Sequence, residues 1–161
     1  MFHALTGCDT TSAFAGRGKR TAWTVCKSFP ELTKALSEIN YEQTDIPESC
    51  MRDIARSVTL MYDRTCTCCD IDTARRKLFA KKGRPLESMP PTHHALVQHD
   101  RRAVCQGSIC WCQMLHAQPQ LPCPSEWGWE KTSEGQFKPI WTTLPEAAKL
   151  CSELVRCGCT K

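Results

Sequence analysis

No stretch of eighteen apolar residues occurs anywhere in the sequence, so no segment is long enough to cross a bilayer as a helix. The opening residues Met1 to Gly7 lack the basic and apolar regions of a secretory signal, which points to an intracellular chain. Aromatic residues are scarce, at 7% of the whole, so the core is a modest one. Internal repeats and low-complexity tracts are missing, which excludes solenoid and fibrous architectures. At 161 residues the chain is too short for a multidomain enzyme.

Cysteine, by contrast, is abundant. There are 13, an odd number, which argues against the closed disulfide framework of a small secreted scaffold. No C-x-x-C pair has a distant partner pair, so Cys66, Cys68 and Cys69 read as buried thiols rather than a zinc site. The net charge of +4 is small, yet its distribution is uneven. Between Arg64 and Arg102 there are nine basic residues against four acidic ones.

Apolar spacing predicts a mainly α fold, a helical bundle with one small β-hairpin near the C-terminus. Ala22, Trp23 and Cys26 mark one face of a helix from Lys19, and Phe29-Pro30 ends it. Leu32, Ala35, Leu36 and Ile39 mark a second helix with Pro30 in its first turn. After a polar link over 40–44, Asp45 caps a third helix striped by Cys50, Ile54, Val58, Met61 and Tyr62. Asp70 or Asp72 then caps a helix running to Lys82, with Gly83 as its stop and a basic face of Arg75, Arg76, Lys77, Lys81 and Lys82. Thr92 opens the longest helix, through Leu96, Ala103, Gly107, Cys110, Trp111 and Met114. Trp127 to Trp129 and Gln136 to Trp141 flank a turn and form the hairpin. Thr143 to Glu146 matches a capping box for a final helix through Leu150, Leu154 and Val155. The organisation falls into segments 1–40, 45–118 and 125–161.

The most informative stretch runs from Leu5 to Ala22. Gly16 and Gly18 permit close approach of a ligand to the backbone, the helix that follows offers unpaired N–H groups, and Arg17, Lys19 and Arg20 add positive charge. Together these features make a phosphate site. Read from its neighbours alone, Asp9 is a turn former bonded to the amides of Thr11 or Ser12. His93 and His94 read as exposed at a helix start, and His99 and His116 as partly buried on a helix surface. Trp127, Trp129 and Trp141 either stack on nucleobases or form the hairpin's core.

The spacing of Gly7, Asp9, Phe14, Gly16, Gly18 and Ala22 resembles the helix–two-turn–helix segment of the flap endonuclease-like (PIN-like) structure-specific 5′ nucleases. Thr10 and Arg17 depart from that pattern, where an aromatic and an apolar residue are usual. The resemblance covers about the first forty residues. It implies that Gly16, Arg17, Gly18, Lys19 and Arg20 bind the DNA backbone without reading sequence, and that Asp9 belongs to a carboxylate cluster holding Mg²⁺ or Mn²⁺. Two-ion hydrolysis needs several carboxylates around the ions. The chain is therefore expected to be the C-terminal part of a metal-dependent nuclease-like protein, missing an N-terminal nuclease portion and inactive alone. The last residues, with Cys157 and Cys159, resemble the start of a tesmin-type CXC module, which implies zinc held only with residues beyond Lys161. The arrangement also resembles mobile-element-like proteins of animal genomes and implies a nuclear location. The alternative is a non-catalytic, domesticated DNA- or chromatin-binding protein, or a zinc-dependent interaction protein.

Overall fold

The computed structural model describes residues 1–39, 45–81 and 85–145. In chain order its helices are α1 (Phe2–Leu5), α2 (Lys19–Ser28), α3 (Pro30–Glu38), α4 (Glu48–Tyr62), α5 (Ile71–Phe79) and α6 (His93–Val104). β1 (Trp129–Lys131) and β2 (Phe137–Pro139) follow and pair antiparallel, with Glu130 opposite Lys138. The fold is mainly helical with a small hairpin near the C-terminus. No helix among the described residues is long and apolar enough to cross a membrane.

The central element is α4, which packs against α2, α3, α5 and α6. It is suited to that place because Ile54 and Val58 lie four residues apart on its inner face and are wholly buried. Each contributes about 1.5–3 kcal/mol by leaving water. Cys50, Ala55, Met61 and Tyr62 complete a broad apolar stripe. One contiguous core draws residues from Ala4 to Trp127.

Local signals set most helix starts. Pro30 occupies the first turn of α3. The Asp70 carboxylate accepts from the Thr73 amide at 2.7 Å, and the Thr92 hydroxyl accepts from the Ala95 amide at 3.3 Å. Asp45 does not cap α4. Pro47 precedes that helix without a side-chain cap, while the Asp45 carboxylate accepts from the Ile46 amide and pairs with Arg101 at 3.3 Å.

Several expectations are corrected. α5 ends at Phe79 with Ala80 as its cap, before Lys82; Lys82 and Gly83 lie outside the described residues. Its basic residues do not share one free face. Arg75 donates to the Pro90 carbonyl, Arg76 to the Thr73 hydroxyl, and Lys81 pairs with Asp63 at 3.3 Å. On α2, Ala22 and Val25 turn inward while Trp23 is 52% exposed and touches the edge of Phe2.

Thr92 opens an unbroken helical run longer than α4, as expected, but not a uniform α-helix; the longest regular α-helix among the described residues is α4. α6 stops at Val104 and continues as a π-helical turn, Cys105–Cys110, then a 3-10 turn, Trp111–Gln113. At this wider turn α1 comes against the backbone. A Cβ on Gly107 would stand 3.0 Å from Met1 Cα and 3.1 Å from Ala4 Cβ, so glycine admits the crossing. The link over 40–44, the final helix and the pair Cys157 and Cys159 lie outside the described residues.

Candidate functional site

α1 ends at Leu5, and Gly7 turns the chain with φ of 104°. A side chain here would be strained by that φ and would meet Ala13 at 2.8 Å, so the position demands glycine. The loop closes through Thr11. The Cys8 amide donates to the Thr11 carbonyl at 3.1 Å, the Thr11 amide to the Cys8 carbonyl at 3.3 Å, and the Thr11 hydroxyl to the Ala4 carbonyl at 2.6 Å. Thr11, rather than Asp9, is thus the turn former. The Asp9 side chain is exposed and makes no hydrogen bond among the described residues.

The second turn spans Phe14 to Arg17, where the Arg17 amide donates to the Phe14 carbonyl at 3.0 Å. Gly16 holds φ of 65° there. Phe14 is buried beneath the turn, against the His99 ring at 4.8 Å. Arg17 finds its own packing, with its guanidinium 4.8 Å from the centre of the Tyr62 ring. Its Nε is buried without a partner among the described residues. The Tyr62 hydroxyl donates to the Ala15 carbonyl at 3.1 Å and ties the turn to α4.

Gly18 precedes α2 without a side-chain cap. The Gly18 carbonyl accepts from Thr21 and Ala22, leaving the Lys19 and Arg20 amides free at the helix start. A Cβ on Gly18 would meet nothing within 4 Å, so the space in front of these amides is open. Arg20 is exposed. The Lys19 ammonium bends back over α1, donating to the Gly7 carbonyl and to the Thr6 hydroxyl at 3.3 Å. It thereby sits at the negative end of α1's dipole.

Beneath the loop lies His99, which is buried rather than on the helix surface. Its Nε2 stands 2.8 Å from the Leu5 carbonyl and Nδ1 3.2 Å from the Ser12 hydroxyl. A carbonyl only accepts, so Nε2 carries the proton and Nδ1 accepts from Ser12. Burial lowers the imidazole pKa, with the nearby Arg102 charge acting the same way against the Leu5 bond. His116 is exposed, and His93 and His94 are exposed as expected. The spacing of His99 with Leu96, Ala103 and Gly107 along one helical face is the signal that could have placed it inward.

Asp100 and Arg102 also escaped sequence reading. Asp100 is fully buried, and burial drives its carboxyl pKa well above the usual range. Arg102 is 3% exposed and donates to the Gly128 carbonyl at 3.0 Å and the Ile140 carbonyl at 2.6 Å. It clamps the hairpin to α6. Trp127 is buried in the core, whereas Trp141 is 63% exposed.

Among the described residues no group of three or more His, Cys, Asp or Glu side chains is placed to hold a metal ion. Asp9 is one exposed carboxylate, so the described residues do not by themselves fit a two-ion site. The thiols differ more than expected. Cys50 and Cys68 are buried, but Cys69, Cys112 and Cys123 are exposed. No protein-family model, curated protein or solved structure matches this chain.

Proposed function

We propose that the chain binds the sugar–phosphate backbone of DNA without reading base sequence, as part of a metal-dependent nuclease-like protein. The observation that supports this reading is the course of the backbone over the motif. Gly7, Asp9, Phe14, Gly16, Gly18 and Ala22 fall along a helix end, a closed loop, a tight turn and a new helix start, in that order. Free amides and open space at the start of α2 suit an approaching phosphate, and Arg20 adds an exposed cation beside them. Lys19 contributes charge to the same region from its place on the Gly7 carbonyl. In this reading Asp9 would supply one ligand to Mg²⁺ or Mn²⁺ held mainly by carboxylates of another portion of the protein.

Fluorescence anisotropy with duplex and 5′-flap DNA tests it. Binding should be alike for unrelated sequences and weaken steeply from about 50 to 200 mM salt, because backbone contacts release counterions. Replacing Arg20 and Lys19 by Ala should weaken all sequences equally. A salt slope near zero, or binding unchanged in the double variant, would overturn the proposal.

A further inference from the structure

A hollow of about 210 Å³ opens between the Ser12–Ala15 loop, α4, α5 and α6. Phe14, Tyr62 and Trp141 provide aromatic walls, and Arg75 and Arg102 provide guanidinium groups from two different helices. No carboxylate lines it among the described residues.

The two lining arginines have donors to spare. Arg75 uses Nη1 on the Pro90 carbonyl. Arg102 uses Nη1 on the Gly128 and Ile140 carbonyls. Both residues line the hollow, so the N–H groups not used on those carbonyls are available to a ligand there. Asp100, the acid that interacts with Arg102, is fully buried and is not among the residues lining the hollow.

We propose that this hollow binds a phosphate group, presented as the dianion of a phosphate monoester whose planar ring lies outward against Trp141. A planar carboxylate is satisfied by one arginine fork; donors converging from two helices suit a tetrahedral dianion better. The volume sets the rest. Whole small-molecule ligands occupy roughly 300–1,000 Å³, so this hollow takes the phosphoryl group and leaves the ring outside. The exposed face of Trp141 and the neighbouring prolines Pro90 and Pro91 offer that ring an apolar platform. A mononucleotide and the 5′-phosphorylated end of a nucleic acid share this chemistry. The site does not depend on the turn at Gly16 to Arg20.

Calorimetric titration of the full chain with inorganic phosphate, phenyl phosphate, AMP, and an oligothymidylate with or without a 5′-phosphate tests the proposal. Phenyl phosphate should bind saturably and more tightly than inorganic phosphate and quench tryptophan fluorescence. Arg75→Gln should weaken it at least about tenfold, the usual worth of a charged hydrogen bond, while Arg20→Ala leaves it unchanged. Thermal melting checks that Arg75→Gln folds; if it does not, Arg75→Lys, which keeps charge but not the fork, carries the same expectation. AMP binding would assign the site to mononucleotides, and preference for the phosphorylated oligonucleotide to strand ends. No saturable binding of any phosphate monoester, or binding indifferent to both Arg75 variants, would overturn it. Binding lost in Arg20→Ala but kept in Arg75→Gln would place phosphate at the turn instead, and likewise overturn the hollow.

Discussion

The Nε2–H of His99 donates to the Leu5 carbonyl at 2.8 Å, joining residues 94 positions apart. Through Nδ1 the same ring accepts from Ser12, so one imidazole holds the end of α1 and the loop that follows it. His99→Phe keeps a ring beside Phe14 but strands both partners. It should destabilise the protein by about 1–3 kcal/mol at pH 7.5, as read by urea denaturation. The folded pKa is depressed, so above about 6.5 the neutral imidazole is cost-free. As pH falls from there toward the folded value, the unfolded chain takes up the proton first and stability drops. The Phe variant should lack that acid loss.

Asp100 has the opposite sign. Burial raises its pKa, so the folded chain keeps a proton that the unfolded chain releases above about 3.9. Stability contributed by this site should therefore fall as pH rises from about 4 toward the folded pKa, by at most about 1.4 kcal/mol per pH unit. Asp100→Asn should be more stable than wild type at pH 8 and similar to it near pH 4. Denaturation midpoints at the two pH values provide the comparison. Equal differences at both would refute a proton held by Asp100.

The two loop glycines differ sharply in what they tolerate. Gly7→Ala forces a side chain into a φ of 104° and against Ala13 at 2.8 Å. A loss of about 2 kcal/mol or more is expected from backbone strain and overlap together. At Gly18, φ is −80° and the Cβ meets open space, so Ala should cost less than about 1 kcal/mol. Thermal melting separates them. Because Gly18→Ala spares the fold, it also isolates any effect of crowding the free amides on DNA affinity.

Thiol reactivity should follow electrostatics as well as exposure. The Lys77 ammonium beside Cys68 lowers that thiol's pKa, aided by Cys66 and Arg56 against the opposing effect of burial. Burial pushes Cys105 up to about 12, and Cys110, brought alongside by the π-helical turn, acts in the same direction. Thiolate is the reacting species. Alkylation followed by peptide mass spectrometry should find Cys105 unlabelled at pH 7 in the folded chain. Lys77→Met should slow labelling of Cys68 and leave Cys123 unchanged.

The helical class, the positions of α2 to α6 and the hairpin were legible in the amino-acid order because their causes are local. Pro30, Asp70 and Thr92 act on amides within three or four residues, and the stripe from Cys50 to Tyr62 needs only the helical period. The loop that enters a helix at Lys19 was legible for the same reason, since it is one continuous stretch. Its surroundings were not. Lys19 was read as a charge at a phosphate site, and its bond to the carbonyl end of α1 was not foreseen; the basic residues of α5 were read as one face, but Asp63, Thr73 and the Pro90 carbonyl divide them. The π-helical turn at Gly107 lies against Met1 and Ala4, more than a hundred residues away in sequence. Arg102 looked like an ordinary surface charge in sequence, and only the return of the hairpin across α6 supplies the carbonyls and aromatic rings that bury it. Local order determined where helices begin; the chain's long-range crossings decided which polar groups they bury.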